Sequence, residues 1–332
     1  MLRRTLLLTP LMARAASSLD DAVSYAGEHN STGLVVIHKG RILSENYWKG
    51  WTRESSGPIF SASKSIASTL IGMAIEDGKI RGPGQSMADF VPAWRKTSKE
   101  AITIGHALSM TSGIKVGVDA AVAGVDQFEQ TAALPLEHEP GTHWAYNTPV
   151  YRMLLGVLEK ATGEPLPTYT KRKLTAPLGM EHGAWDGLPA GAKTSWTWFR
   201  CSVHDMARFG ELILGRGEFQ GKRLVGAKWL VEATRSSQQL NPAYGYLWWL
   251  NGQNVFQMPA GGLQKGMLWN DCPRDAVGAL GAMDKKIFVV PSLQLVVARH
   301  GGAVGVQHVL GPNQGFDNQL LGKVCSAVSN SL

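Results

Sequence analysis

Hydrophobic and polar residues alternate in the early stretch TGLVVIHKGRILSENYWKG. A period of two on both sides of Lys39-Gly40 predicts a β-hairpin that opens a sheet. The next stretch, PIFSASKSIASTLIGMAIEDGK, instead repeats its apolar residues at helical spacing, among them Ile66, Leu70 and Met73, and its last glycine is a plausible stop. We therefore expect a helix there, and we expect it to be buried.

From Arg81 to Ser195 the pattern changes to short helical segments broken by glycine and proline, with no convincing pair of strands. An amphipathic helix follows, SVHDMARFGELILG, then YGYLWWLN, and then two strand-like runs, KKIFVVP and LQLVVARH. The sheet therefore resumes near the end of the chain. We predict an α/β lobe from residues 16–80 and 196–332, with a helical lobe of residues 81–195 inserted between its halves.

Composition narrows the class of protein. The 332 residues are 44% hydrophobic and 18% charged, and no apolar run approaches the length of a membrane span, so we expect a globular chain without one. The net charge of +7 comes from scattered lysines and arginines rather than a basic stripe, which argues against binding of nucleic acid. The oligomeric state has no readable signal.

The first residues, MLRRTLLLTPLMARAASS, combine an arginine pair, an apolar stretch and a small-x-small cleavage candidate. They predict an export signal over residues 1–15, and hence a periplasmic or secreted protein; the alternative is a frayed apolar terminus. The three cysteines, Cys201, Cys272 and Cys325, allow at most one bridge and are too dispersed for a zinc site. We expect neither a metal ion nor an organic cofactor.

Ser61 and Lys64 carry the first chemical signal. Residues three apart lie on one face of a helix, so the Lys64 amine can reach the Ser61 hydroxyl. A serine needs a neighbouring base before it becomes a nucleophile, and a helix N-terminus stabilises the negative charge that forms. Taken alone, the pair is also compatible with an N-cap serine followed by a lysine whose amine reaches solvent.

Several linked motifs decide between these interpretations. In order and spacing, FSASKSIASTLIGMAIEDGKI, FVPAW, ITIGHALSMTSGI, EPGTHWAYN, YRMLLGVLEKATG, SVHDMARFGELIL and YGYLWW resemble the serine β-lactamase and penicillin-binding-protein-like hydrolases. The chain looks most like the class C β-lactamase branch, which includes family VIII-type esterases and nylon-oligomer hydrolases. The resemblance implies an antiparallel sheet flanked by helices plus an all-helical lobe, with Ser61 as the acylated nucleophile and Lys64 as its proton acceptor or relay.

In the second motif this family has Tyr-x-Asn shortly after a Pro-Gly-Thr turn. Here PGTHWAYNT puts Tyr146 at the tyrosine position, but Asn147 follows directly, one place early, and then Thr148. A phenol near an ammonium group can pass a proton to the leaving group, so Tyr146 is a sensible catalytic partner; the alternative is an aromatic ring that fills a lobe interface. Asn147 either binds substrate or the Lys64 amine, or holds the turn.

The third family motif, Lys-Thr-Gly on an inner strand, is absent. We align Ala279-Leu280-Gly281 with it, so that Gly281 allows close approach of substrate and the Ala282 amide joins that of Ser61 in an oxyanion hole. A second candidate is RHGG, beginning at Arg299, whose His300 has the plainer interpretation of ending a strand. A lysine or arginine on a nearby loop is expected to replace the missing charge if any does; the candidates are Arg274, Lys285 and Lys286.

The function we predict is that of a serine hydrolase that cleaves small neutral esters through an acyl-enzyme. The alternatives are an amidase or peptidase acting on nylon-like oligomers or D-amino-acid peptides, or a β-lactamase. A non-catalytic penicillin-binding or sensor protein is the alternative of another class. We expect the partner to be a small-molecule ester or amide, and we expect one or two of the tryptophans Trp144, Trp196, Trp198, Trp248 and Trp249 to line its pocket.

Overall fold

A computed structural model describes residues 18–117, 126–187, 196–303 and 315–329. The predicted export signal lies outside these residues. The helices are α1 (Leu19–Glu28), α2 (Ser63–Glu76), α3 (Ile104–Leu108), α4 (Gln127–Ala133), α5 (Thr148–Thr162), α6 (Leu166–Thr170), α7 (Ala176–Leu178), α8 (Val203–Leu214), α9 (Ala227–Ala233) and α10 (Phe316–Ser329). Short 3₁₀ turns cover Phe60–Ala62, Met87–Asp89, Pro92–Trp94, Ser98–Ala101 and Pro291–Leu293, and a π-helical turn covers Lys171–Thr175.

The strands are β1 (Ser31–His38), β2 (Arg41–Tyr47), β3 (Ser56–Pro58), β4 (Ala184–Gly187), β5 (Trp196–Ser202), β6 (Glu218–Phe219), β7 (Lys222–Arg223), β8 (Trp249–Leu250), β9 (Val255–Gln257), β10 (Leu263–Lys265), β11 (Val277–Gly281), β12 (Lys285–Val290) and β13 (Leu295–Gly301). Six of them form one antiparallel sheet in the order β2-β1-β13-β12-β11-β8. Strands from both ends of the chain are therefore neighbours, which confirms the predicted antiparallel sheet.

The first hairpin forms where the alternation predicted it. Lys39 and Gly40 both have positive φ, 51° and 73°, and His38 pairs with Arg41 across the turn. Positive φ at both central residues gives a two-residue turn whose twist matches that of the strands, and glycine adopts it at little cost. The turn therefore fixes the register of β1 and β2.

Helix α2 is buried from Ser63 to Ala74, as predicted. Its many small residues allow neighbouring elements to approach closely. A side chain at Gly72 would overlap the Trp229 indole, whose nitrogen donates a 3.0 Å hydrogen bond to the Ser68 carbonyl. A core helix surrounded by protein on all sides is a rigid support for the residues at its N-terminus.

The sheet is covered by helices. Helix α8 lies against β12 and β13, with Gly210 directly facing the Val296 side chain. Helices α1 and α10 pack together, and the Tyr25 and Phe316 rings stack at 5.6 Å. No helix in the described ranges is long and apolar enough to cross a membrane.

The middle of the chain is mainly helical, and its one described strand, β4, pairs with a strand outside the predicted helical lobe. Strand β4 pairs with β5, which also pairs with β3, so a three-stranded sheet crosses the predicted boundary near residue 195. In β4 only Trp185 is buried, so the four residues AWDG show no alternation to reveal a strand. The division into two lobes at residues 81 and 195 stays a prediction.

Candidate active site

Ser61 lies in the 3₁₀ turn Phe60–Ala62, immediately before α2. Phe60 has a φ of 47°, a left-handed conformation that costs a residue other than glycine about 1 kcal/mol or more. The Ile59 amide donates a 2.9 Å hydrogen bond to the Phe199 carbonyl, which anchors the turn to β5. A residue with a left-handed backbone directly before a partly exposed serine is common at functional sites.

The Lys64 amine is buried and lies next to this serine. Its Nζ is 3.2 Å from Ser61 Oγ and 3.3 Å from Thr148 Oγ1, and the side chain is 1% exposed. Thr148 is the first residue of α5 and stands two places after Tyr146, where the family pattern has asparagine. The amine is therefore held between two hydroxyl groups on different helices.

Three aromatic rings surround the same amine. Lys64 Nζ lies 4.7 Å from the ring centroid of Tyr146, 4.6 Å from that of Tyr151 and 5.1 Å from that of Trp198. Ring faces attract a cation, whereas burial disfavours one. The cage thus holds the amine in a fixed position beside Ser61.

Tyr146 is positioned by its own aromatic neighbours. Its ring stacks on Trp249, with centroids 6.1 Å apart and planes 20° apart, and meets the edge of Tyr244 at 6.2 Å. Burial, with the Tyr146 phenol beside it, raises the pKa of Tyr244. Tyr244 therefore stays neutral, and Tyr146 is the tyrosine of this group that reaches the cavity described next.

A cavity of about 400 Å³ opens beside Ser61 and Tyr146. Most of its walls are apolar. Many of the lining residues lie in β8 to β11 and the loops between them, and others come from β12 and the start of α10. The described lining is Ser61, Tyr146, Trp249, Phe256, Met258, Pro259, Ala260, Leu268, Trp269, Leu280, Gly281, Ala282, Met283, Asp284, Lys286, Ala303, Gly315, Asp317 and Asn318. A volume of this size is suited to a small organic molecule.

Strand β11, which we align with the third family motif, lies beside the serine. A side chain at Gly281 would overlap the carbonyl oxygen of Ile59, two residues before Ser61, so only glycine permits this approach. Gly281 and Ala282 both line the cavity with Ser61. Ala279, by contrast, is 1% exposed and is absent from the described lining, where Leu280 takes part instead.

The charged end of the cavity holds one lysine and two carboxylates. Lys286 Nζ is 2.9 Å from Asp317 Oδ2 and 3.5 Å from Asp284 Oδ1. Burial raises the pKa of Asp317, and the Lys286 ammonium opposes that rise. Lys286 is thus already matched by two acidic neighbours.

The other two cations expected to replace the missing lysine point elsewhere. The Lys285 amine donates a hydrogen bond to the Gly301 carbonyl, and burial together with nearby Arg299 lowers its pKa to about 8. Arg274 donates a hydrogen bond to the Gly252 carbonyl. Of the three candidates, only Lys286 reaches the described lining of the cavity.

Asn147 does not join this constellation. It is 2% exposed, its Oδ1 accepts a hydrogen bond from the Val150 amide, and its Nδ2 donates to the carbonyls of Ile114 and Lys115. The side chain therefore caps α5 and ties it to a loop, as in the turn-holding alternative. The expectation that it binds substrate fails because both ends of the amide face backbone groups away from the Ser61 cavity.

RHGG, the second candidate for the third motif, is structural. The Arg299 guanidinium bonds the Ser31 hydroxyl and the carbonyls of His29, Met283, Asp284 and Gly302. His300 packs on Trp51 at 4.5 Å and faces the Gly57 carbonyl at 3.4 Å. Neither side chain lines the cavity.

His300 makes stability depend on pH. Burial and the nearby Lys285 charge lower its pKa to about 3, so the unfolded chain takes up the proton more readily than the folded one. The contribution of neutral His300 to the free energy of unfolding is complete above about pH 6.5 and is lost as the pH falls towards 3. The free energy of unfolding should drop by roughly 2 kcal/mol from this group between pH 7.5 and 5. Urea denaturation should show that His300→Phe has a correspondingly smaller drop; an equal drop would contradict the assignment.

Similarity to known proteins identifies the family of this chain. The family model for beta-lactamase matches residues 13–303, so the chain belongs to the beta-lactamase family. It is 23% identical to 6-aminohexanoate-dimer hydrolase from Paenarthrobacter ureafaciens over 79% of this chain and 75% of that protein. It is 30% identical to esterase EstB from Burkholderia gladioli over 51% of this chain and half of the esterase.

Solved structures show the same fold. A penicillin-binding protein homologue from Caulobacter crescentus superposes with a TM-score of 0.69 at 16% identity, covering 94% of this chain and 97% of that one. The family and its named relatives make this protein a hydrolase. Within the described ranges, no three His, Cys, Asp or Glu side chains come together in a way that could hold a metal ion.

Proposed function

We propose that the protein is a serine hydrolase that cleaves small neutral esters through an acyl-enzyme on Ser61. The observation that carries this proposal is the buried Lys64 amine, 3.2 Å from Ser61 Oγ, at the mouth of a largely apolar cavity. A hydroxyl with a proton acceptor in hydrogen-bond reach is the arrangement that nucleophilic catalysis needs. The cavity supplies the adjoining space for an acyl group.

In the proposed reaction, Ser61 Oγ attacks the ester carbonyl while its proton passes to the Lys64 and Tyr146 pair. The oxyanion is stabilised by the backbone amides of Ser61 and Ala282, which β11 brings to the same cavity. Tyr146 then protonates the leaving alcohol, and the same groups activate a water molecule that releases the acid. Thr148 holds the amine in place during both steps.

The charges around the cavity support a neutral substrate. A substrate carboxylate would need a cation, and Ala279, the residue that we align with the family lysine, offers none. Lys286 is paired with Asp317 and Asp284, so a second carboxylate would have to displace one of them. Penicillins and other carboxylate-bearing substrates should therefore be poor ones.

An amide substrate is the second candidate, because 6-aminohexanoate-dimer hydrolase matches the larger part of this chain. One screen separates the candidates: chromogenic short-chain esters, anilides and a cephalosporin are offered to one preparation, with Ser61→Ala as the blank. We expect kcat/KM to be highest for the neutral ester. A preference for the anilide would favour an amidase, and a preference for the cephalosporin would overturn the proposal.

Tyr146→Phe should lower kcat by roughly 100-fold, because it removes only the oxygen that carries the proton. The ring would still stack on Trp249, so the melting temperature should change little. Tyr244→Phe is the matched control, since this neighbouring tyrosine is buried and does not line the cavity. Equal activity of Tyr146→Phe and wild type would make Tyr146 a packing residue.

Asp317→Asn should improve hydrolysis of an anionic ester relative to a neutral one. The change removes the nearer of the two carboxylates that pair with Lys286, whose Nζ lies 2.9 Å from Asp317 Oδ2, and leaves a side chain of the same shape. A newly available charge-assisted hydrogen bond corresponds to roughly a 10-fold gain in kcat/KM. The measurement compares the nitrophenyl esters of butyrate and hemisuccinate, which share a leaving group and differ by a carboxylate. An unchanged ratio would show that Lys286 does not govern this selectivity.

A further inference from the structure

One face of α10 is fixed against the loop that precedes β11. Asn318, Gly322 and Cys325 are spaced four and three residues apart, so they lie on the same side of the helix. Asn318 and Asp271 exchange two hydrogen bonds, of 3.0 and 2.8 Å. A side chain built on Gly322 would come within 2.7 Å of Asp271 Cβ, so helix and loop are in direct contact.

Two cysteines meet at this contact. Cys272 follows Asp271 in the loop, Cys325 is the next residue along the helix face, and both are free cysteines. A hydrogen bond between the two thiols, together with burial, raises the pKa of Cys272. Both are buried, at 7% and 4% exposure. Cys201 is separate from them, because it lies in β5 opposite Gly57.

We propose that Cys272 and Cys325 form a disulfide that fastens α10 to the loop before β11. A low-molecular-weight disulfide such as oxidised glutathione serves as oxidant. One cysteine thiolate attacks it, forms a mixed disulfide and releases one glutathione; the other cysteine then attacks the mixed disulfide and releases the second. The two protein thiols lose two electrons and two protons in total, and the oxidant becomes two glutathione molecules.

The two cysteines lie close to segments that line the cavity, and the bond between them should stabilise the fold. Leu268 and Trp269, from the segment before Cys272, and Asp317 and Asn318, from the start of α10, all line the cavity beside Ser61. A covalent link between these segments closes a loop of about fifty residues and so limits the freedom of the unfolded chain. Oxidation should therefore raise the melting temperature by several degrees.

The test begins with the full chain unfolded in urea and refolded in a glutathione redox buffer, since both thiols are buried in the folded state. Free thiols are then counted by alkylation in denaturant, and the linked peptides are identified by mass spectrometry. Wild type should retain one free thiol, at Cys201, and lose the mass of two hydrogen atoms. Cys201→Ser should still form the link and retain none.

Cys272→Ser and Cys325→Ser should each retain two free thiols and show no rise in melting temperature on oxidation. Three free thiols in refolded wild type, or a link that includes Cys201, would overturn the proposal. Oxidation of wild type without any rise in melting temperature would overturn its stabilising role. These readouts do not depend on the proposed ester chemistry, so the two proposals can fail separately.

Discussion

Ser61→Ala is expected to lower kcat for a neutral ester by about 10⁴-fold or more, while the protein keeps its fold. Ser61 Oγ lies 3.2 Å from the Lys64 amine and lines the cavity, and water cannot replace a positioned nucleophile. The structural cost should be small, because Ser61 Oγ contributes no cap hydrogen bond to α2. Initial rates of ester hydrolysis by the purified protein give kcat, and a melting curve of the same preparation shows whether the fold is kept.

Ser68→Ala is the matched control for this experiment. Ser68 lies on the same helix, is fully buried, and its Oγ has no hydrogen-bond partner among the described residues. Its removal should leave kcat unchanged. If Ser61→Ala retained a tenth or more of wild-type kcat, Ser61 would not be the nucleophile.

Lys64→Met should lower kcat by about 10³-fold, since methionine keeps the length of the side chain and removes the amine that accepts the Ser61 proton. The methyl group would remain inside the cage of Tyr146, Tyr151 and Trp198, so the packing of the site should persist. The measurement is the pH profile of kcat/KM. A variant that kept its rate, with the acid limb of the profile unmoved, would remove Lys64 from proton transfer.

Thr148→Val and Thr148→Ser test, in the same assay, whether the Thr148 hydroxyl holds the Lys64 amine in place. The valine variant loses the hydroxyl that lies 3.3 Å from Lys64 Nζ, and kcat should fall by roughly 10-fold, the value of one ordinary hydrogen bond. The serine variant keeps the hydroxyl and should keep most of the rate. Equal rates in both variants would show that Thr148 does not hold the amine.

Periodicity predicted the longer elements of the sheet lobe. The hairpin around Lys39-Gly40 and the buried helix α2 appear where the pattern placed them. Strand β4 and the β9–β10 ribbon were not foreseen, because runs of three or four residues contain too few positions for a period to show. Pairing across the chain, rather than local preference, makes these residues strands.

The site was predictable where its residues are close in sequence. Ser61 and Lys64 stand three residues apart, so their contact follows from helical geometry alone. Thr148 was not predicted as a site residue, because Asn147 has the side chain that the family pattern expects, although Thr148 stands at the family spacing from Tyr146. The structure shows that Asn147 is a helix cap and that Thr148 faces the amine.

Contacts between segments that are distant in the chain could not be predicted from the sequence. Of the five tryptophans considered, Trp249 lines the cavity and Trp198 covers Lys64, whereas Trp269, which also lines the cavity, was not considered. The pairing of Lys286 with Asp317 joins a strand to the C-terminal helix, and no local pattern records it. This pairing nevertheless decides which charges a substrate meets.

The central claim, an acyl-enzyme on Ser61, is tested most directly by covalent trapping. The full chain is incubated with a neutral alkyl phosphonate ester that carries a good leaving group, which modifies nucleophilic serines in place of the acyl group. Intact mass spectrometry should then show one adduct per chain, peptide mapping should place it on Ser61, and Ser61→Ala should remain unmodified. Ester turnover by a wild-type enzyme that acquires no adduct, or an adduct that maps to another residue, would contradict the account.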